Sequence, residues 1–210
     1  MSGIIAQNAG RHTGLVKAAS GGGAWTLIKT LTASGDASLS FVDGASDVVL
    51  DNTYDVYVFK FINTHPSSTS RPDFTFNGSD DDSSHSYDVT KTTTQFSCFH
   101  MESDATGFAY ETSQDLAQET GFQPLSTLQG DDNDNNGCGE MRLFNPSSTT
   151  FVKHFMSRFS SVGESAGGDQ YAYDEYAAGY FNTTADITAI QFKFDSGEID
   201  AGTISLYGIT

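Results

Sequence analysis

The run Asp132-Asn133-Asp134-Asn135-Asn136-Gly137 is the segment whose residue types and spacing come nearest to a ligand site. Alternating carboxylate and amide oxygens, followed by Gly at a sharp bend, are typical of a calcium loop, because Ca²⁺ takes about six to eight oxygen ligands. An EF-hand loop ends in Glu at its twelfth position, but Leu143 stands there. The segment is therefore either an acidic turn between strands or an irregular Ca²⁺ site with ligands Asp132, Asp134, Asn136 and Glu140.

Other patterns that carry chemistry are absent from the sequence. The five histidines show no HExxH or HxH spacing, and no serine sits in a GxSxG motif. Residues 21–23 are three glycines, but no strand precedes them and no Lys-Ser/Thr follows, so they do not form a phosphate loop. The many carboxylates lie mostly in hydrophilic stretches, where solvated side chains are the ordinary outcome. We therefore expect no enzymatic activity and, apart from calcium, no cofactor.

Charge and composition exclude several classes of partner. The 210 residues carry 10 Lys and Arg against 27 Asp and Glu, a net charge of -17, which repels nucleic acid and anionic lipid. No apolar run approaches the length of a membrane-spanning helix, so we expect no membrane insertion. The N-terminal residues lack the apolar core of a secretory signal, which predicts assembly in a cytoplasm. With 16 Phe and 9 Tyr, the chain is too aromatic for an acidic disordered protein.

Two further residue groups have more than one interpretation. Cys98 and Cys138 are too few for a disulfide framework, and either one disulfide or two separate thiols fits the sequence. Tyrosines cluster between residues 171 and 176, and such rings bind sugars when exposed or form a core or a subunit interface when covered. The tyrosines concerned are Tyr171, Tyr173 and Tyr176.

Residues 1–23 differ in character from the rest of the chain. Their apolar residues follow neither a helical nor a strand period, and three glycines at the end provide a flexible joint. We predict an arm that anchors on a neighbouring protein, the alternative being a frayed terminus. The apolar residues of this predicted arm are Ile4, Ile5, Leu15 and Val16.

From residue 24 onward the apolar pattern has the period of two that is typical of β-strands. Residues 54–62 are apolar on both faces, which predicts a strand covered on both sides, whereas residues 190–195 and 203–209 each have one apolar face. Further strands are predicted within residues 25–31, 73–76, 94–99, 140–144, 151–156 and 171–176.

Turn residues separate these strands at 77–80, 145–148 and 195–197, and only residues 113–120 have a pattern that admits a short helix. Short strands at this spacing, with no fixed repeat, predict an all-β sandwich rather than alternating strands and helices. Since no break in composition follows residue 24, we expect one β-sandwich domain over residues 24–210.

The C-terminal segment, residues 186–209, resembles the closing hairpin of a family of structural proteins from marine and cyanobacterial tailed bacteriophages. The shared features are an alternating apolar strand, a Ser-Gly turn and then Gly-Thr-Ile-x-Leu-Tyr-Gly. Residues 2–5 with 13–17, the glycine run before Trp25, and residues 143–150 also resemble that family.

The resemblance implies a jelly-roll-like β-sandwich, usually trimeric, on a capsid, tail or fibre, with no catalytic residues. We therefore expect a virion protein assembled in the host cytoplasm: a capsid decoration, cement or head-fibre protein that contacts the major capsid or tail proteins of the same virion. The alternative is a tail-fibre or baseplate protein that binds host-surface glycans. A free carbohydrate-binding domain or glycan hydrolase is a third interpretation, against which the predicted arm argues.

Overall fold

A computed structural model describes residues 24–209, and the predicted arm over residues 1–23 lies outside the described residues. These residues form thirteen strands, and no helix occurs among them. The strands are β1 (Trp25–Thr32), β2 (Leu39–Val42), β3 (Val56–Pro66), β4 (Phe74–Ser79), β5 (Lys91–Met101), β6 (Thr106–Tyr110), β7 (Ala117–Glu119), β8 (Gln123–Ser126), β9 (Gly137–Phe144), β10 (Lys153–Glu164), β11 (Gln170–Phe181), β12 (Ala189–Phe194) and β13 (Ile199–Ile209).

The strands form two antiparallel sheets. The large sheet has nine strands in the order β1-β13-β3-β9-β10-β11-β5-β6, with β7 also paired to β5. The small sheet has four strands in the order β2-β12-β4-β8. The prediction of an all-β sandwich is confirmed. We call the face of the large sheet that packs on the small sheet its inner face, and the opposite face its outer face.

The core between the sheets is built largely from phenylalanine. Phe61 of the large sheet meets Phe192 of the small sheet edge-to-face, with ring centroids 5.0 Å apart, and Phe155 meets Phe76 in the same way. All four rings are buried. Edge-to-face geometry aligns the positive ring edge with the negative face, and burial of each ring contributes about 2–3 kcal/mol. The core therefore holds the two sheets in one relative position.

The strand predictions agree closely with the structure. All nine predicted segments contain or overlap a strand, and β3 is buried on both faces at Tyr57, Val58 and Phe59, as its two-sided apolar pattern predicts. Ile204 and Leu206 of β13 point into the core, also as predicted.

Two local predictions are wrong. Residues 77–80 were expected to form a turn, but Asn77 and Gly78 lie inside β4 and are buried. The Asn77 side chain donates to the carbonyls of Tyr87 and Thr120, and the Phe181 ring lies so close to Gly78 that a Cβ there would be 2.9 Å from it. Residues 113–120 form a turn followed by β7 instead of a helix, because β5 offers a sheet edge that β7 extends.

Among residues 24–209, no helix is long and apolar enough to cross a bilayer.

Candidate binding surface

Four strands, β10, β11, β5 and β6, extend the large sheet beyond β9. Because side chains alternate between faces along a strand, the pairing register sorts their residues into cross-strand rows on the outer face. One such row runs from β9 to β6, and we call it the ring row. Its members, in order, are Glu140, Arg158, Tyr176, Phe96 and Tyr110.

Three members of the ring row, Arg158, Tyr176 and Phe96, form a stack. Phe96 and Tyr176 are parallel, with centroids 4.7 Å apart and planes 9° apart, and the Arg158 guanidinium lies 5.2 Å from the centre of the Tyr176 ring. Both faces of Tyr176 are therefore covered, one by a ring and one by a cation. The Tyr176 ring therefore presents its edge, rather than a face, to the rest of the outer face.

A trough runs beside the ring row. Its floor is the next row, Arg142, Met156, Ala178 and Thr94, whose side chains are short or flexible. Its far wall is the row of Phe144, His154, Tyr180 and Thr92. The ring row and this far wall are four residues apart along each strand, which is about 13 Å. The part next to the ring row has a volume of about 320 Å³.

The trough floor exposes the apolar side chains of Met156 and Ala178 beside Thr94 and the ion-paired Arg142. Met156 is 49% exposed, and the ring of Phe108, just beyond the ring row, is 75% exposed. No described residue covers either side chain, and exposed apolar groups that share a concave face are typical of a contact surface. We call this trough, together with the ring row, the outer-face site.

Ion pairs cancel the charges at the outer-face site. Arg158 donates from Nε and Nη2 to the two carboxylate oxygens of Asp174, at 3.0 and 2.8 Å, and this bidentate pair raises the pKa of Arg158 above its usual range. Arg142 donates to Glu140 at 2.9 Å. Although the chain carries a net charge of -17, this face meets a partner without net repulsion from its own side chains.

The structure separates the three tyrosines that were predicted as glycan or interface aromatics. Tyr176 lies in the ring row, but Tyr171 and Tyr173 point to the inner face and are only 6% and 7% exposed. Burial raises the pKa of Tyr171 to about 12, and the Tyr173 hydroxyl donates to Ser97. Because residues 171, 173 and 175 share one face of β11, an odd–even count separates Tyr176 from the other two.

The structure places Asp132, Asp134 and Asn136 in the loop before β9 and Glu140 within β9. Asp132 accepts a hydrogen bond from Gln170 and Asp134 is exposed, whereas Glu140 pairs with Arg142 on the outer face. Within residues 24–209, no three His, Cys, Asp or Glu side chains converge as a metal site. The calcium site stays a prediction, which calorimetry at millimolar calcium tests: absence of both heat and a change in melting temperature would end it.

The two cysteines lie in one row of the outer face but on different strands. Cys138 of β9 and Cys98 of β5 are separated by β10 and β11, which makes three strand spacings, about 14 Å. A disulfide needs Cα atoms within about 7 Å. The two thiols are therefore separate, and both are half-buried.

A polar network lies on the inner face, behind the outer-face site. Glu175 of β11 is 1% exposed and accepts hydrogen bonds from the backbone N–H and hydroxyl of Thr127, both at 2.8 Å, and from Gln95. Gln123 of β8 in turn donates to Gln95 at 2.7 Å. Burial outweighs these bonds and raises the pKa of Glu175 to about 8.

Sequence reasoning overlooked most of the outer-face site. The signal is an inverted pattern in β5, where Gln95 and Ser97 are buried and Phe96 is exposed. From the polarity of these side chains alone, Phe96 would be predicted to lie in the core. The inversion follows from Glu175, Gln123 and their partners, which make the inner face polar at this end of the sheet.

The chain matches no family model, no curated protein and no solved structure.

Proposed function

We propose that this protein is a non-enzymatic structural component of a bacteriophage virion: a capsid decoration or head-fibre protein, held on the particle by residues 1–23. In this proposal the protein forms homotrimers, which contact the major capsid or tail proteins of the same virion. The C-terminal resemblance and the strand order support it.

The strand order is the observation that carries the proposal. When β5, β6, β7, β10 and β11 are left aside, the strand orders of the two sheets are β1-β13-β3-β9 and β2-β12-β4-β8. Strands β1 to β4 therefore alternate between the two sheets along the chain. This order supports a jelly roll, which has eight strands in two sheets and two Greek keys and is common in viral capsid proteins and lectins. In this proposal the segments that carry β5–β7 and β10–β11 are insertions into a jelly roll.

Most of the outer-face site is carried by these added strands, and only Glu140, Arg142 and Phe144 come from β9. Loops and insertions on a rigid scaffold commonly carry the functional surface, while the scaffold provides stability. The charges of the surface are paired, and Tyr176 presents only its ring edge there, which favours contact with protein side chains over stacking of a sugar on Tyr176. This supports a subunit or particle contact over a glycan site.

One observation favours the alternative, a tail-fibre or baseplate protein that binds host-surface glycans. The Phe108 ring is 75% exposed and stands at the edge of the ring row, where a sugar ring has access to it. A glycan array and a host-cell binding assay test this function. Saturable binding that Phe108→Ser abolishes would favour the alternative over passive decoration.

Deletion of residues 1–23 tests the anchoring role. We expect the deleted chain to keep its β-sheet circular dichroism and melting transition but to be absent from assembled particles. A full-length chain in which Ile4, Ile5, Leu15 and Val16 are all Ser is the matched variant, since it keeps the length and charge of the segment. Normal incorporation of both variants would refute anchoring by this segment.

A further inference from the structure

We infer that the outer-face site is a contact between copies of this chain, in which the Phe108 ring of one copy inserts into the trough of the next copy. This inference rests on the proposed function, because it names the surface that holds the proposed homotrimer together. Three properties of the described residues support it: the chemistry of the trough, the reach of Phe108, and the distribution of charge.

The trough floor suits an aromatic side chain. Met156 is flexible and 49% exposed there, and a thioether contacts the edge of an aromatic ring favourably. Arg142, on the same floor, provides a cation for a ring face. The volume of about 320 Å³ is at the lower end of the range for small-molecule pockets, which is room for an aromatic side chain but not for a folded element.

Phe108 is an exposed ring that is already held in position. It is 75% exposed, and no aromatic ring within residues 24–209 is more exposed. It lies on β6, the outermost strand at its side of the large sheet, which contains none of the charged residues or prolines that commonly protect a sheet edge. Pairing of β6 with β5 and contact with the Phe96 ring, at a centroid separation of 5.7 Å, fix Phe108 before binding. Little ordering entropy is therefore lost when the ring binds.

Phe108 does not reach the trough of its own copy. Its cross-strand partner is Cys98, which lies four residues along β5 from the floor residue Thr94, about 13 Å. Met156 lies on β10, three strand spacings from β6, about 14 Å. The trough that receives the Phe108 ring therefore belongs to another copy. Because this contact joins two different patches, it repeats head to tail, and a closed trimer uses every Phe108 and every trough.

Charge favours a second copy over a basic partner. Arg11 and Lys17 are the charged residues of segment 1–23, so the rest of the chain holds 8 Lys and Arg against 27 Asp and Glu, a net charge of -19. Two such domains repel each other unless they meet where charges are absent or cancelled. Strand β6 is uncharged, and the arginines beside the trough, Arg142 and Arg158, are both ion-paired. A basic partner would instead be attracted to the acidic remainder of the surface.

Sedimentation analysis of the purified full-length chain tests the inference. Met156→Glu places a carboxylate on the trough floor, and Phe108→Ser removes the inserted ring. We expect each variant to raise the dissociation constant of the oligomer at least tenfold and to leave the β-sheet circular dichroism unchanged, because the fold of a single copy does not depend on the contact. The matched control is Phe151→Ser, since the Phe151 ring is 71% exposed in the loop between β9 and β10. A parent chain that stays monomeric, or equal effects of Phe108→Ser and Phe151→Ser, would overturn the inference.

Photocrosslinking tests the contact itself. A p-benzoylphenylalanine in place of Phe108 keeps an aromatic ring and, when irradiated, bonds to a C–H group that it touches. We expect crosslinks to the Met156 peptide of another copy, identified by mass spectrometry, in at least tenfold higher yield than from the same group in place of Phe151. Equal yields, or crosslinks only within one copy, would overturn the inference.

The contact and the proposed function fail in different ways. If the parent chain is incorporated into particles but the crosslink to Met156 is missing, the contact is wrong and the virion role stands. If the crosslink forms in the purified chain but particles do not incorporate the chain, the contact is supported and the virion role is wrong.

Discussion

The buried carboxyl of Glu175 makes stability depend on pH in a defined direction. Burial raises its pKa to about 8, compared with an ordinary value of 4.5. Between these pH values the folded chain keeps a proton that the unfolded chain has lost, so the free energy of unfolding falls as pH rises. The full contribution is present below pH 4.5 and is lost as pH rises through 8.

The size of this effect follows from the same two values. At about 1.4 kcal/mol per pH unit, the loss between pH 4.5 and pH 8 is roughly 5 kcal/mol. Asp73, whose pKa burial raises to about 6, adds a loss of the same sign at lower pH. From pH 6 to pH 8 Glu175 dominates, with an expected loss of roughly 2 kcal/mol, because Asp73 completes its titration there and Lys91, whose pKa burial lowers to about 8, begins a change of opposite sign.

Glu175→Gln removes the titrating group and keeps its shape. The amide retains an acceptor for the Thr127 backbone N–H and a donor for the Thr127 hydroxyl oxygen. We expect the variant to lose less than half as much stability as the parent chain from pH 6 to pH 8 and to be the more stable of the two at pH 8. Urea unfolding at half-unit pH steps measures both quantities.

Glu119→Gln is the matched control, because it removes the same charge from an exposed position on β7. We expect its free energy of unfolding to fall with pH as steeply as that of the parent chain. If Glu175→Gln keeps that slope too, the carboxyl is not the origin of the pH dependence, and the description of the inner-face network as a proton-holding site is wrong.

Three further substitutions test the core, a backbone position and the exposed surface, each by urea unfolding. Phe192→Ala removes a ring that contacts five others and should cost about 3–5 kcal/mol; a loss below 1 kcal/mol would contradict the described core. Gly202→Ala should cost about 3 kcal/mol of stability, because φ is +118° and a Cβ would lie 2.7 Å from a backbone oxygen. Gly44→Ala should cost about 1 kcal/mol, because φ is +73° but the space around it is open. Equal losses for the two variants would contradict this account of the backbone. Phe108→Ser should change stability by less than about 0.5 kcal/mol, and a loss above 2 kcal/mol would show that the ring is packed.

The sequence predicts the fold class because period-two patterns survive wherever one face of a strand is apolar and the other polar. In β12, Phe192 and Phe194 are buried while Gln191 and Lys193 are half-exposed, as their alternation predicts. Strands of three to five residues are too short to show a period, and β2, β6, β7 and β8 were therefore missed.

Composition misleads where tertiary contacts override local preference. Asn77-Gly78 has the composition of a turn, but buried carbonyl partners for Asn77 and the closeness of Phe181 to Gly78 place the pair inside β4. Both features depend on segments distant in sequence, so a local pattern does not contain them.

The candidate site was predictable only in part, for the same reason. Tyr176 was singled out as an exposed or interface ring, but its stacking partner Phe96 lies 80 positions earlier in the chain. The trough exists because β10, β11 and β5 pair side by side, and this register follows from contacts between distant segments. Sequence spacing alone therefore identifies single residues but not the surface they share.

The central proposal is that this β-sandwich is a virion component held on the particle by residues 1–23. A density map of purified particles of a tailed phage whose genome carries this sequence tests it most directly. We predict copies of the two-sheet domain on the particle, with density for residues 1–23 continuing from Trp25 into a neighbouring protein. Particles that lack the domain, or hold it without any contact through residues 1–23, would contradict the claim.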